Sequence, residues 1–175
     1  MRIFLRALNT SDSSKIYPWL LNKKNHELTC GNFYFASEDY LKKWIEERVF
    51  SRDQIYLAIC LKTTNEIIGY LSLKNIDHRN RVTILGGILI GDEHNQGSGL
   101  ASEAVKLMLE FAFNELNINM LWTYVLEEHH ASLRLFEKNG FKRTGILPQS
   151  VYKSGKYHNQ IIFCILRKDY NPDDN

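Results

Sequence analysis

Apolar residues recur along this chain with two different periods, and the switches between them mark its elements. Residues 3–7 form a short apolar run that reads as a strand. Thr10, Ser11 and Asp12 then offer N-caps for a helix through Leu21. Ser37 stands before a second helical stretch that reaches about Phe50. In it Tyr40, Leu41, Trp44, Ile45 and Val49 recur at three- and four-residue steps, with Glu38, Lys42, Glu46 and Glu47 on the other side. Residues 54–61 and 67–76 are rich in β-branched and aromatic side chains and are joined by the polar turn 62–66, a hairpin pattern. After the loop 77–81, residues 82–90 form a further strand that contains the adjacent glycines Gly86 and Gly87. Glycine inside a strand marks a bulge or the close approach of a ligand.

Residues 91–98 are a polar, glycine-bearing loop. The helix after it is the clearest element in the chain, with Leu100, Ala104, Leu107, Met108 and Phe111 on one face and Glu103, Lys106 and Glu110 on the other. Residues 120–125 read as a strand. Residues 131–138 read as a short helix closed by Asn139 and Gly140. A last hairpin turns at Ser154 and Gly155, with 159–167 as its closing strand. The order β-α-α-β-β-β-α-β-α-β-β predicts a mixed α+β fold. Its central sheet is mostly antiparallel, with helices on both faces. One right-handed crossover makes strands 82–90 and 120–125 a parallel pair in the middle. Residues 1–170 are expected to form a single domain, followed by a frayed polar tail, 171–175.

Composition narrows the classes. The 175 residues are 44% hydrophobic and 24% charged, near globular averages, which excludes a disordered or fibrous chain. A net charge of +2 argues for neither nucleic acid nor a membrane surface as partner. No apolar run approaches the roughly 18 residues of a membrane span, and charge interrupts residues 1–6 too early for a signal peptide. Cys30, Cys60 and Cys164 are odd in number and far apart, which suits reduced thiols in a cytoplasmic protein. No metal site is expected, since His129 and His130 lack the spacing of helical ligand pairs.

The chemistry concentrates in Gln96, Gly97, Ser98, Gly99, Leu100 and Ala101, between a strand and the best helix. Glycines let the backbone turn tightly and approach a ligand. The first helical turn has N–H groups without internal partners, and the helix dipole adds partial positive charge. Together these form an anion pocket suited to phosphate or pyrophosphate. A nucleoside-triphosphate loop would need Gly-Lys-Ser/Thr, which is absent. A dinucleotide fingerprint would need Gly or Ala at 102, where the chain has Ser102.

The spacing that fits is Gln-x-x-Gly-x-Ala, from Gln96 through Gly99 to Ala101. Here the chain resembles the GNAT superfamily of N-acetyltransferases, whose coenzyme A pyrophosphate loop reads Gln/Arg-x-x-Gly-x-Gly/Ala. The lead-in Ile90-Gly91-Asp92 and Glu103 are similar to the branch of ribosomal-protein alanine and polyamine acetyltransferases. Two further stretches extend the likeness. One is the short helix ending in Asn139-Gly140-Phe141, and the other is the hairpin carrying Tyr152, Lys153, Ser154, Gly155, Lys156, Tyr157 and His158.

The resemblance implies acetyl-coenzyme A as co-substrate, held in a V-shaped opening between the two parallel strands. The main chain of Ile88 and Ile90 would face the pantetheine arm. Gln96, Gly97, Ser98, Gly99, Leu100 and Ala101 would hold the pyrophosphate, with His129 and Ser132 also on the cofactor. An acceptor amine would enter from the opposite side and attack directly in a ternary complex. The acceptor would be a polyamine, an amino sugar or a protein N-terminus, and the resemblance allows a homodimer. The family's usual acid, a Tyr, is replaced by Phe136, and its usual Glu base by Leu85. Candidate substitutes are His78 and Tyr124 first, with Asp77, Tyr152 and His158 beside them. The acidic run Glu38, Asp39, Glu46 and Glu47 is either a solvated helix face, the commoner explanation for such a run, or an attraction for a cationic amine. The alternative is a coenzyme A-binding sensor or interaction module without catalysis.

Overall fold

A computed structural model describes residues 1–31, 33 and 35–171, so most of the expected tail (172–175) lies outside the described residues. The elements are β1 (Ile3–Ala7), a 3-10 turn (Thr10–Asp12) running into α1 (Ser13–Leu21), α2 (Lys24–Glu27), α3 (Glu38–Val49), β2 (Ile55–Leu61), β3 (Ile67–Asp77), β4 (Val82–Ile90), α4 (Leu100–Glu110), β5 (Met120–Leu126), α5 (His130–Lys138), β6 (Lys142–Lys153) and β7 (Lys156–Leu166). The strands form one 7-stranded sheet in the order β1-β2-β3-β4-β5-β7-β6. Every neighbouring pair is antiparallel except β4 and β5. This is the mixed sheet the pattern predicts. No helix among the described residues is long and apolar enough to cross a membrane.

Helices cover both faces. On one face α4, the turn that continues it and α5 press Met108, Phe113 and Phe136 onto Leu71, Leu85 and Phe163. On the other, α1 and α3 bury Ile16, Leu41 and Ile45 over Ala58 and Cys60. Each such large apolar side chain contributes roughly 1.5–3 kcal/mol by leaving water. Arg6 anchors the second layer by donating to both oxygens of Asp12, at 2.8 and 2.7 Å. α5 ends as anticipated. Gly140 N–H donates to Glu137 O and Phe141 N–H to Phe136 O, a Schellman closure in which the rings of Phe136 and Phe141 meet edge to face at 5.2 Å.

The structure differs from the sequence expectation in four places. α2 adds a helix to the predicted order, and at four residues it is too short to show a period. On α3 only Leu41 and Ile45 are buried, whereas Tyr40 and Val49 are 60% and 50% exposed, so the apolar stripe is narrower than the spacing suggests. α4 continues into a π turn (Phe111–Glu115), whose extra residue brings Ala112 and Phe113 into the core. β7 begins at Lys156 rather than 159, because the two-residue turn lets pairing start at once.

Candidate functional site

β4 and β5 pair over only three positions, Val82↔Met120, Thr83↔Leu121 and Ile84↔Trp122. Beyond them the strands part. Tyr70 of β3 faces Leu89 and Ser72 faces Gly86, so the single residue Leu71 opposes both Gly87 and Ile88. That is a bulge. Gly87 takes φ +59°, and Ser72 Oγ donates to Gly86 O at 2.9 Å. The bulge bends β4 away from its neighbour just where pairing stops. The double glycine therefore marks the place where the sheet opens. Ile88 and Ile90 follow it, half-buried against the α4 side of the core.

The loop after β4 is fixed by its own side chains. Gln96 Nε2 donates to Ile90 O at 2.8 Å, and Ser98 Oγ donates to Asn95 O at 2.6 Å. Gly97 and Gly99 take φ +70° and +87°, left-handed conformations that other residues adopt only at a cost. α4 starts at Leu100, and the amides of Ser102 and Glu103 close its first turn on Gly99 O. Among the described residues, the amides of residues 97–101 donate to no protein acceptor. Five consecutive donors thus lie at the positive end of a helix dipole.

Arg2 holds this turn from outside. Its amide and Nε donate to the two oxygens of Glu103 at 2.6 and 2.7 Å, and its Nη2 donates to Ser98 O at 2.9 Å. Partial burial opposes ionisation of Glu103, but the Arg2 amide and guanidinium outweigh it and hold the carboxyl below its usual range. At the start of α5, Ser132 Oγ lies 3.3 Å from His129 Nε2. Burial lowers the pKa of that imidazole, which favours the neutral form.

Register defines the face of the opening that α3 covers. Tyr56, Ser72 and Gly86 lie in one row across the sheet, and Lys74, Ile84 and Trp122 in the next. Tyr124 continues this face two residues past the last β4–β5 pair. It is 37% exposed, and its ring is 5.9 Å from Trp122. Burial, followed by Cys30 and Tyr56, pushes its phenol above the ordinary value, so it stays protonated at neutral pH. Burial likewise raises the Cys30 thiol, whose Sγ is 4.0 Å from Tyr124 O.

The other predicted residues lie elsewhere. His78 is on the β3–β4 turn, at the opposite end of β4 from the bulge, with Nε2 3.1 Å from Arg52 O. Asp77 caps that turn through Arg79 and Asn80. Tyr152 packs on Tyr157, and His158 Nδ1 lies 2.9 Å from Glu128 Oε1. Phe136 and Leu85 are core residues. Glu38 and Asp39 pair with Lys42, and Glu38 and Glu46 line a groove between α1 and α3. Sequence reasoning missed Tyr56, Ser72, Lys74 and Arg2. The alternation of β3 hinted at Ser72 and Lys74 sharing a face, but only the register brings that face to the opening.

Comparison with known proteins agrees with this geometry. The family model described as Acetyltransferase (GNAT) domain matches residues 2–142. The probable N-acetyltransferase YjcK of Bacillus subtilis is 30% identical over 143 residues, covering 81% of this chain and 76% of that protein. The spermidine N(1)-acetyltransferase of Vibrio cholerae is 29% identical over 169 residues, 97% of this chain and 95% of that protein. The crystal structure of spermidine N-acetyltransferase from Vibrio cholerae in complex with CoA and spermine has the same fold. Its TM-score is 0.89 at 23% identity, covering 97% of this chain and 98% of that one.

Proposed function

Because the chain belongs to the GNAT acetyltransferase family and is an N-acetyltransferase with acetyl-coenzyme A as co-substrate, we propose that it acetylates a small primary amine by direct attack in a ternary complex at the β4–β5 opening. The observation that carries this reading is the run of unpartnered amides at residues 97–101, directly after the strand that splays. Those donors suit a diphosphate, and the lack of Cβ atoms at Gly97 and Gly99 leaves room for it, since a Cβ at Gly97 would meet nothing within 4 Å.

In this reading the amides of Gly97, Ser98, Gly99, Leu100 and Ala101 grip the diphosphate, and Gln96 fixes the loop against Ile90. The main chain of Ile88 and Ile90 runs beside the pantetheine arm. His129 and Ser132 form the facing wall. The co-substrate supplies an activated acetyl thioester. The amine attacks its carbonyl as the neutral base, the carbon–sulfur bond breaks, and the ammonium proton leaves through water. The Tyr124 phenol is a weaker acid than a thiol, so it serves by hydrogen-bonding the developing thiolate rather than by surrendering its proton. His78 takes no part, because it is at the far end of β4.

The relatives named for spermidine support a small amine as acceptor and put polyamines on the panel to be tested. Phe136 and Leu85 are buried in the core, so neither position offers a proton donor or acceptor to the opening. Release of free thiol from acetyl-coenzyme A across an amine panel tests the proposal. We expect amine-dependent release; tight binding of coenzyme A with no product from any amine, or no binding at all, would refute it.

A further inference from the structure

The face of the opening left for the acceptor is cationic. Lys74 Nζ is 5.8 Å from the centroid of the Tyr56 ring and would lie 3.9 Å from a Cβ on Gly87, so it hangs over the bulge itself. Among the described residues, no Asp or Glu comes within ion-pair distance of it. The same ring carries a second cation. The Arg48 guanidinium is 5.8 Å from Tyr56 and 4.0 Å from the Trp44 ring. Its one carboxylate is its exposed neighbour Glu47 at 3.9 Å, and its Nε is buried without a hydrogen-bond partner. The Ser72 hydroxyl and the Tyr56, Tyr70 and Tyr124 side chains share this face. Of the other α3 carboxylates, Glu38 and Glu46 line a different groove and Asp39 pairs with Lys42.

Like charges at close range disfavour binding, and an unpaired half-buried ammonium is a ready counter-ion for a carboxylate. A polyamine carries only positive charge along its length. We propose that the acceptor is an amine that also bears a carboxylate, with the carboxylate paired to Lys74 and the amine directed to the thioester at the Gly86–Gly87 bulge. This rests on the acetyltransferase reading of the opening and names its acceptor class. Lys74 is then a specificity residue and takes no part in the chemical step.

The test uses a panel of α-, β- and ω-amino acids, their amides, and spermidine, with wild-type protein and the variants Lys74→Met and Lys74→Glu. Two readouts run in parallel: kcat/KM from thiol release, and calorimetric affinity of the same compounds for coenzyme A-saturated protein. The expected result is that the best amino acid exceeds its amide by about tenfold or more, the size of one charge-assisted pair. Lys74→Met should level the two, and Lys74→Glu should move the preference toward spermidine. A structural role for Lys74 would lower all values together and leave the ratios unchanged. If wild type favours spermidine or the amides by both readouts, or if the ratios ignore the charge at 74, the inference is overturned while acetyl transfer stands. A binding preference that follows Lys74 without any turnover would sustain the inference and overturn the transferase reading.

Discussion

Replacing Gly99 by Ala adds one methyl group to the loop and tests its proposed role. The new Cβ would meet only Arg2 Nη2, at 3.5 Å, an ordinary contact. The penalty is therefore conformational. Gly99 has φ +87°, and a left-handed conformation costs an L-residue roughly 1–2 kcal/mol. For a chain of this size 1 kcal/mol lowers Tm by about 2–4 °C, so a fall of about 2–8 °C is expected. Gly155→Ala is the matched control. Its φ is +81° and its Cβ would meet nothing within 4 Å, in the β6–β7 turn. The two variants should melt alike. They should differ in coenzyme A binding, because turning residue 99 re-aims amides of the proposed cradle. Losing one hydrogen bond to a charged group removes about 1.5–3 kcal/mol, a weakening of roughly 10- to 100-fold in Kd. Thermal unfolding and calorimetric titration of both proteins read the two effects separately. Equal coenzyme A affinity in the two variants would refute the cradle, even if both melting shifts came out as expected.

Three further outcomes follow from the same geometry. Tyr124→Phe should lower kcat by about a hundredfold, as loss of one donor to a developing anion does, with Tm unchanged; an unaltered kcat removes Tyr124 from the mechanism. Asp12→Asn should cost about 2 kcal/mol, after allowance for the partial exposure of Arg6. Burial opposes ionisation of Asp12, yet Arg6 and the Asn9 amide outweigh it and hold the carboxyl below its ordinary value. Its contribution is thus complete above the unfolded carboxylate value of about 3.9 and is lost as pH falls through the lower folded value. Wild-type stability should accordingly drop more steeply than that of the variant below pH ~4, and parallel acid profiles would contradict the pairing. Gly69→Ala would drive a Cβ into the Leu89 carbonyl oxygen; the backbone must shift, and we expect a loss of about 3 kcal/mol in denaturant unfolding.

Runs of β-branched and aromatic residues located β2, β3, β4 and β5, and Gly86 with Gly87 located the bulge, because backbone freedom is written in residue type. The loop was legible for the same reason, as Gly97 and Gly99 sit where only left-handed backbone closes the turn. What escaped depends on partners distant in sequence. α2 has no period to detect. The π turn hides inside an apolar helix whose spacing looks regular. Arg2 gives no local sign that it grips Glu103, 101 residues away. The charge of the acceptor face needed the register of β2, β3 and β4, since Lys74 and Arg48 meet only around Tyr56. Helix spacing likewise could not say which groove the carboxylates of α3 line; Glu38 and Glu46 line the one between α1 and α3.

The three-position contact between β4 and β5 also gives the sheet a mechanical character. Strands β1 to β4 form one leaf and β5 to β7 another, joined by a short seam and by α4 and α5. A molecule seated in the gap works as mortar between the leaves. Amides of β5 near Tyr124 should then exchange with deuterated water more slowly when the gap is filled, and a cell rich in acyl donor would hold this protein in its more durable form.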